Sequence, residues 1–114
     1  MLKIYGLKNC DTCRKALKWL QAEDIAHEFV DLRAGDGMAH SEITAAMGDV
    51  GAEKLVNRRG TTWRQLTDAD KAKTGDALID LLAAQPAIMK RPIFQKADGY
   101  FVGFDKAAQE RLSQ

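Results

Sequence analysis

Cys10 and Cys13 are the only cysteines in this 114-residue chain, and they stand two residues apart in 7-LKNCDTCRKALKWL-20. Three readings fit that spacing. A thiol pair can attack and resolve disulfides. It can supply half of a tetrahedral zinc site. It can also be two small apolar side chains without chemistry. Zinc requires two further ligands, and the only histidines, His27 and His40, have no paired spacing. His27 reads as a strand surface residue and His40 as a loop or pre-helix residue.

The surroundings of the pair favour redox chemistry. From Asp11 to about Glu23 the apolar residues Cys13, Ala16, Leu17 and Leu20 recur at i, i+3, i+4 and i+7, one face of a helix, with Trp19 to the side of the stripe. Cys10 therefore sits where the chain enters that helix. A thiolate there meets unpaired backbone N–H groups and the positive end of the helix dipole, which lower its pKa. Lys8 and Arg14 add to the effect, and Asp11 opposes it. Cys13 lies on the apolar stripe and is the less exposed of the two. That asymmetry suits Cys10 as the attacking thiol and Cys13 as the resolving thiol.

Two basic segments could complete an anion site. One is 57-NRRGTTWR-64, with Arg58, Arg59 and Arg64 around a glycine; the other is 90-KRPI-93. Guanidinium groups present a fixed fork of donors that suits oxyanions and carboxylates. The bland reading is a solvated basic loop, with Trp63 packing it onto the core, and a solvated strand end at Lys90 and Arg91.

The elements that must position these residues read in order along the chain. Residues 2–5 form a short strand ended by Gly6; the helix follows from Asp11; residues 27–32 form a second strand. Residues 33–40 are a Gly-rich loop. A short helix begins at Ser41, and Ala52 to Val56 makes a further turn. The stretch 57–66 has no helical period. Thr67-Asp68-Ala69-Asp70 resembles a capping box with Asp in place of Glu or Gln. Residues 76–85 form a helix stopped by Pro86. Two apolar runs, 88–95 and 100–104, flank a turn at Asp98-Gly99 and read as a hairpin. Asp105 caps a last helix, Lys106 to Leu112. The order βαβ, helical middle, ββα predicts an α/β thioredoxin-like fold in one domain, 1–114, with a helical insertion over about 41–85. In such folds a cis-proline precedes the strand facing the redox cysteine, which makes Pro92 the candidate and brings Arg91 near Cys10.

Composition bounds the function. Hydrophobic residues are 46%, charged residues 29% and the formal charge is +1. These values fit an ordinary globular chain and give no dominant nucleic-acid surface. No apolar run reaches the length of a membrane span. The N-terminus reads as a strand rather than a signal peptide, so the expected location is the cytoplasm. A cysteine pair in that compartment is catalytic, redox-sensing or inert more often than a permanent crosslink. No interaction stripe argues against a monomer.

Taken together, Tyr5-Gly6 to Trp19, Asn57-Arg58-Arg59-Gly60-Thr61-Thr62-Trp63-Arg64, Pro86, Lys90-Arg91-Pro92-Ile93 and Val102-Gly103-Phe104 resemble the arsenate-reductase-like (ArsC/Spx) family, most closely its YffB-type branch. The likeness covers nearly the whole chain. It implies a glutathione-dependent thiol–disulfide oxidoreductase with Cys10 as nucleophile and Cys13 as resolving thiol. Arg59 and Arg91, with Arg58, would bind an anionic substrate or glutathione. Asn9 and Asn57 would support the two loops, and Pro92 would shape the pocket. Glutathione would be a co-substrate rather than a tightly bound cofactor, with glutaredoxin as a partner. In the arsenate reductases of this family the cysteine matching Cys10 attacks arsenate, and Arg91 matches one of the arginines that hold it. The sequence departs from them at Asn57 and Phe104, where they carry arginines, and at Gly6, where they carry histidine. Spx-type regulators offer a different class: non-enzymatic proteins that bind the C-terminal domain of the RNA polymerase α subunit through a Cys-x-x-Cys switch. Gly51 aligns with a glycine of their partner surface.

Overall fold

The structure, a computed structural model, describes residues 1–34 and 37–114. The Gly-rich loop expected over 33–40 includes Gly35 and Asp36, which lie outside the described residues. Among the described residues the chain forms strand β1 (Leu2–Gly6), helix α1 (Asp11–Ala22), strand β2 (His27–Asp31), helices α2 (His40–Val50), α3 (Ala52–Leu55), α4 (Thr61–Arg64), α5 (Asp68–Lys71) and α6 (Gly75–Ala84), a 3-10 turn (Pro86–Ile88), strands β3 (Ile93–Lys96) and β4 (Gly99–Val102), and helix α7 (Lys106–Leu112). The sheet order is β2-β1-β3-β4. β1 and β2 run parallel, as a strand–helix–strand unit requires, and the β1–β3 and β3–β4 pairs are antiparallel.

Side chains alternate along these strands and divide the interior between the two faces of the sheet. Ile4, Phe94 and Phe101 point to one side, where they join Ala16 and Leu20 of α1 and Ala108 and Leu112 of α7. Phe94 and Phe101 stack there with centroids 5.1 Å apart. Tyr5, Ile93 and Tyr100 point to the other side and meet Ile43, Leu55, Trp63, Leu82 and Met89 from the helical segment and the strap beyond it. The helical insertion is therefore the cover of one sheet face. It begins at His40 rather than Ser41 and extends through the 3-10 turn, beyond the expected 41–85.

Three local expectations are corrected. The stretch 57–66 contains a one-turn helix, Thr61–Arg64, too short to show a period in sequence. The apolar run 88–95 is strand only from Ile93; Ile88 ends the 3-10 turn, and Met89 makes a single antiparallel bridge to Val56. Lys96 pairs with Gly99, so the hairpin loop is Ala97-Asp98 and Gly99, at φ +130°, opens β4. The expected caps are present: Thr67 accepts from the Asp70 N–H at 3.1 Å and Asp105 from the Ala108 N–H at 2.9 Å. Trp63 is buried, as read.

Candidate active site

Cys10 is the N-cap of α1, with extended backbone (φ −99°, ψ 119°). The loop that delivers it is closed by the Cys10 N–H donating to the Leu7 carbonyl at 3.2 Å. The thiol is half-buried, whereas Cys13, one turn into the helix, is fully buried. The neutral Cys10 thiol makes no capping hydrogen bond. Burial alone would raise its pKa. The Cys13 backbone N–H, the Cys13 thiol and the Arg91 guanidinium stabilise the anion and together hold the pKa below the ordinary thiol value. Burial above all, helped by the neighbouring Cys10 and opposed by a backbone hydrogen bond at Leu7, pushes Cys13 the other way, up to about 11. The pair is thus one accessible thiol biased toward thiolate backed by one protonated thiol shut off from solvent.

The charged neighbours expected to tune Cys10 act differently. Arg14 Nε donates to the Lys8 carbonyl at 2.9 Å, and its Nη1 lies 3.4 Å from Asp11 Oδ1. Arg14 and Asp11 therefore oppose each other on the surface. The positive charge on the thiol comes from Arg91 instead, some eighty positions along the chain.

Arg91 is held by backbone. Its Nη1 donates to the carbonyls of Ala87 at 2.6 Å and Met89 at 3.2 Å, which the 3-10 turn after Pro86 presents. These two acceptors were invisible in sequence, because carbonyls belong to every residue and only the turn aims them. The Arg91 Nε is buried without a hydrogen-bond partner. The Arg91–Pro92 peptide is cis, and Pro92 is fully buried at the entry to β3, which lies beside β1.

Arg58 and Arg59 lie in a separate depression, and Arg64, exposed on α4, is not part of it. Val56 bridges Met89, the Lys90 N–H donates to the Leu55 carbonyl at 2.7 Å, and the Asn57 N–H donates to the Ile88 carbonyl at 2.8 Å. These contacts lay the arginine turn against the strap carrying Lys90 and Arg91. Lys54, Asn57, Arg58, Arg59 and Lys90, with Glu53 and Asp105, line an open depression of about 410 Å³ that includes neither Cys10 nor Arg91. Arg58 also stands over the Trp63 ring, 5.6 Å from its centroid. Asn57 is structural as well as local to the site: its carbonyl accepts from the Gly60 N–H, and its side-chain amide fills the space a Cβ on Gly60 would need. Asn9 is exposed beside Cys10. Glu53 and Lys54 are charged lining residues that sequence reasoning missed; surface charges on a one-turn helix carry no distinguishing pattern.

The histidines stand elsewhere. His27 Nδ1 lies 2.8 Å from the Ile25 carbonyl, and His40 Nε2 lies 2.9 Å from Asp80 Oδ1. Among the described residues no group of three or more His, Cys, Asp or Glu side chains is placed to hold a metal ion. No helix among them is long and apolar enough to cross a membrane.

A cysteine pair at the start of the helix after β1, with a cis-proline leading into the antiparallel neighbour of β1, marks a thioredoxin-like α/β protein with a helical insertion. The chain belongs to the ArsC family, whose model matches residues 5–112. It is 39% identical over 107 residues to an uncharacterized protein of Haemophilus influenzae, covering 93% of each chain. It is similar to the solved structure of a YFFB protein, with a TM-score of 0.90, 34% identity and 98% of each chain covered. It is 28% identical over 109 residues to the global transcriptional regulator Spx of Enterococcus faecalis, covering 93% of this chain and 81% of that one.

Proposed function

We propose that this chain is a glutathione-dependent thiol–disulfide oxidoreductase acting on an anionic substrate, with Cys10 as its nucleophile. The observation that carries the reading is the asymmetry of the pair: a half-exposed Cys10 beside the Arg91 guanidinium, and a Cys13 that solvent does not reach. With a disulfide R–S–S–R′, the Cys10 thiolate bonds to one sulfur and R′S⁻ leaves. Cys13 then gives up its proton and attacks the Cys10 sulfur. The Cys10–Cys13 disulfide forms and R–SH departs with that proton. Two glutathione thiols reduce the pair and leave as glutathione disulfide. Arg91 supports an anionic substrate, since its part-buried guanidinium stands beside Cys10 and its fork of donors suits an oxyanion or carboxylate. Arg59, with Arg58, Lys54 and Lys90, supplies positive charge for a second carboxylate such as those of glutathione. Arsenate is a candidate oxyanion, and glutaredoxin a candidate partner that completes its reduction.

The test is NADPH consumption coupled through glutathione and glutathione reductase. One arm contains a small organic disulfide, another arsenate with glutaredoxin, and Cys10→Ser runs as control in both. Turnover in either arm that Cys10→Ser abolishes is the expected result, and the arm identifies the substrate class. Absence of Cys10-dependent turnover in both arms overturns the enzyme reading. The similarity to Spx, together with the Cys10–Cys13 pair, favours a second reading: a redox-switched protein that binds the C-terminal domain of the RNA polymerase α subunit. Capture of that purified domain by the reduced or oxidised chain, and loss of capture in Cys10→Ser, supports it.

A further inference from the structure

Gly6 is the last residue of β1 and pairs with Asp31 of β2. Its backbone is not in the left-handed region, so the conformation does not demand glycine. Glycine inside a strand weakens it and marks a place where something else approaches closely. The something here is the Cys13 thiol. A Cβ on Gly6 would lie 2.6 Å from Cys13 Sγ, a separation that real side chains do not tolerate. It would lie 3.3 Å from Cys13 Cβ and 3.4 Å from Phe29 Cε1, which are tight but absorbable. The clash is thus with the sulfur alone. The missing side chain at position 6 is the seat of the Cys13 thiol.

We propose that Gly6 is a positioning residue for the redox pair: it gives the reduced Cys13 thiol its place against β1 and thereby sets the balance between dithiol and disulfide. This rests on the reading that Cys10 and Cys13 form a disulfide. The reaction is E(SH)₂ + glutathione disulfide ⇌ E(S–S) + two glutathione. Two electrons pass from the protein sulfurs to glutathione disulfide, and both thiol protons end on glutathione. In the dithiol, Sγ of Cys13 fills the Gly6 seat. In the disulfide, that sulfur is drawn toward Cys10. A methyl group at position 6 therefore crowds the dithiol more than the disulfide.

The experiment equilibrates the parent and Gly6→Ala in glutathione/glutathione disulfide buffers and reads the oxidised fraction by thiol trapping and mass. Gly6→Ala is expected to shift the equilibrium constant toward disulfide by about fivefold or more, the low end of what overpacking a core produces. A constant within twofold of the parent, or a shift toward dithiol, overturns the proposal. A second measurement covers folding. Urea midpoints are compared for Gly6→Ala in the parent and in a Cys13→Ala background, where the sulfur is gone. Gly6→Ala should lower the midpoint, or prevent folding, with Cys13 present, and do much less with Cys13→Ala. Equal loss in both backgrounds refutes the seat. If the parent forms no Cys10–Cys13 disulfide in any buffer, the resolving role fails along with this inference. A parent disulfide with an unmoved constant in Gly6→Ala removes Gly6 alone.

Discussion

At the scale of residues, the site is one thiol made acidic and another kept neutral a turn away. Position on the helix and a distant guanidinium do the first; burial does the second. Arg91→Ala removes both a donor and a charge from the anion, so the Cys10 pKa should rise. The inflection in the pH dependence of iodoacetamide alkylation should move to higher pH, and the rate at neutral pH should fall severalfold. Arg91→Lys keeps the charge but has a single nitrogen, which cannot hold the two carbonyls and also reach the thiol as separate guanidinium nitrogens can, so its inflection should lie between. An unchanged inflection in Arg91→Ala would separate the arginine from the thiol. Much of this was legible in the sequence. The cysteine spacing, the stripe holding Cys13 and the Lys-Arg-Pro segment point to Cys10, Cys13, Arg91 and Pro92. Other parts were hidden. Charge proximity along the chain suggested Arg14, yet a neighbour in sequence can turn to a carbonyl and a carboxylate of its own loop. The Gly6 seat was unreadable because a glycine at a strand end predicts only a boundary.

At the scale of elements, short pieces are held by single contacts. Helix α7 has seven residues, and it closes one face of the sheet through Ala108 and Leu112. So short a helix gains little from its own hydrogen bonds, and the Asp105 cap carries weight. Asp105→Ala should lower stability by about 1 kcal/mol, with Asp105→Asn or Asp105→Ser recovering most of it, as read from urea unfolding midpoints. Asp105 also lines the basic depression, so loss of stability without change in Cys10 alkylation is the signature of capping. The longer helices and the hairpin followed from periodicity and turn chemistry. The turn expected over Ala52 to Val56 is the one-turn helix α3, whereas α4 was not expected, because four residues cannot display a 3.6-residue period. Gly51 joins α2 to α3 at φ +83° with open space around its Cβ position, so a positive φ explains that glycine without a partner surface.

At the scale of the whole molecule, one sheet separates two cores, and a polar contact ties the insertion to it. Tyr5 of β1 reaches Glu42 of α2 at 2.7 Å and Gln95 of β3 at 2.8 Å through its hydroxyl. Burial and the Glu42 carboxylate push the Tyr5 pKa well above its usual value, so the hydroxyl stays a donor throughout the physiological range. Glu42 also accepts from the Ala39 N–H at 2.9 Å, so the same carboxylate caps α2 and anchors it. Tyr5→Phe keeps the packing and removes the tie. It should cost about 1 kcal/mol of stability in urea unfolding. Hydrogen exchange should show the loss concentrated in α2, while α1 and α7 on the opposite face change little. Uniform loss over both faces would show that the tie does not divide the molecule in this way.

The pairing of β1 with β3 joins residues about ninety positions apart, and it is this pairing that brings Arg91 to Cys10. During synthesis Cys10 is made within the first dozen residues and its counter-charge within the last quarter of the chain. In a partly opened chain the start of α1 can already offer the thiol its Cys13 N–H, but the guanidinium's share of its acidity arrives only with the closing of the sheet. The thiol is in this sense armed in two stages, one written into the start of its own helix and one that waits for the far end of the chain to take its place in the sheet.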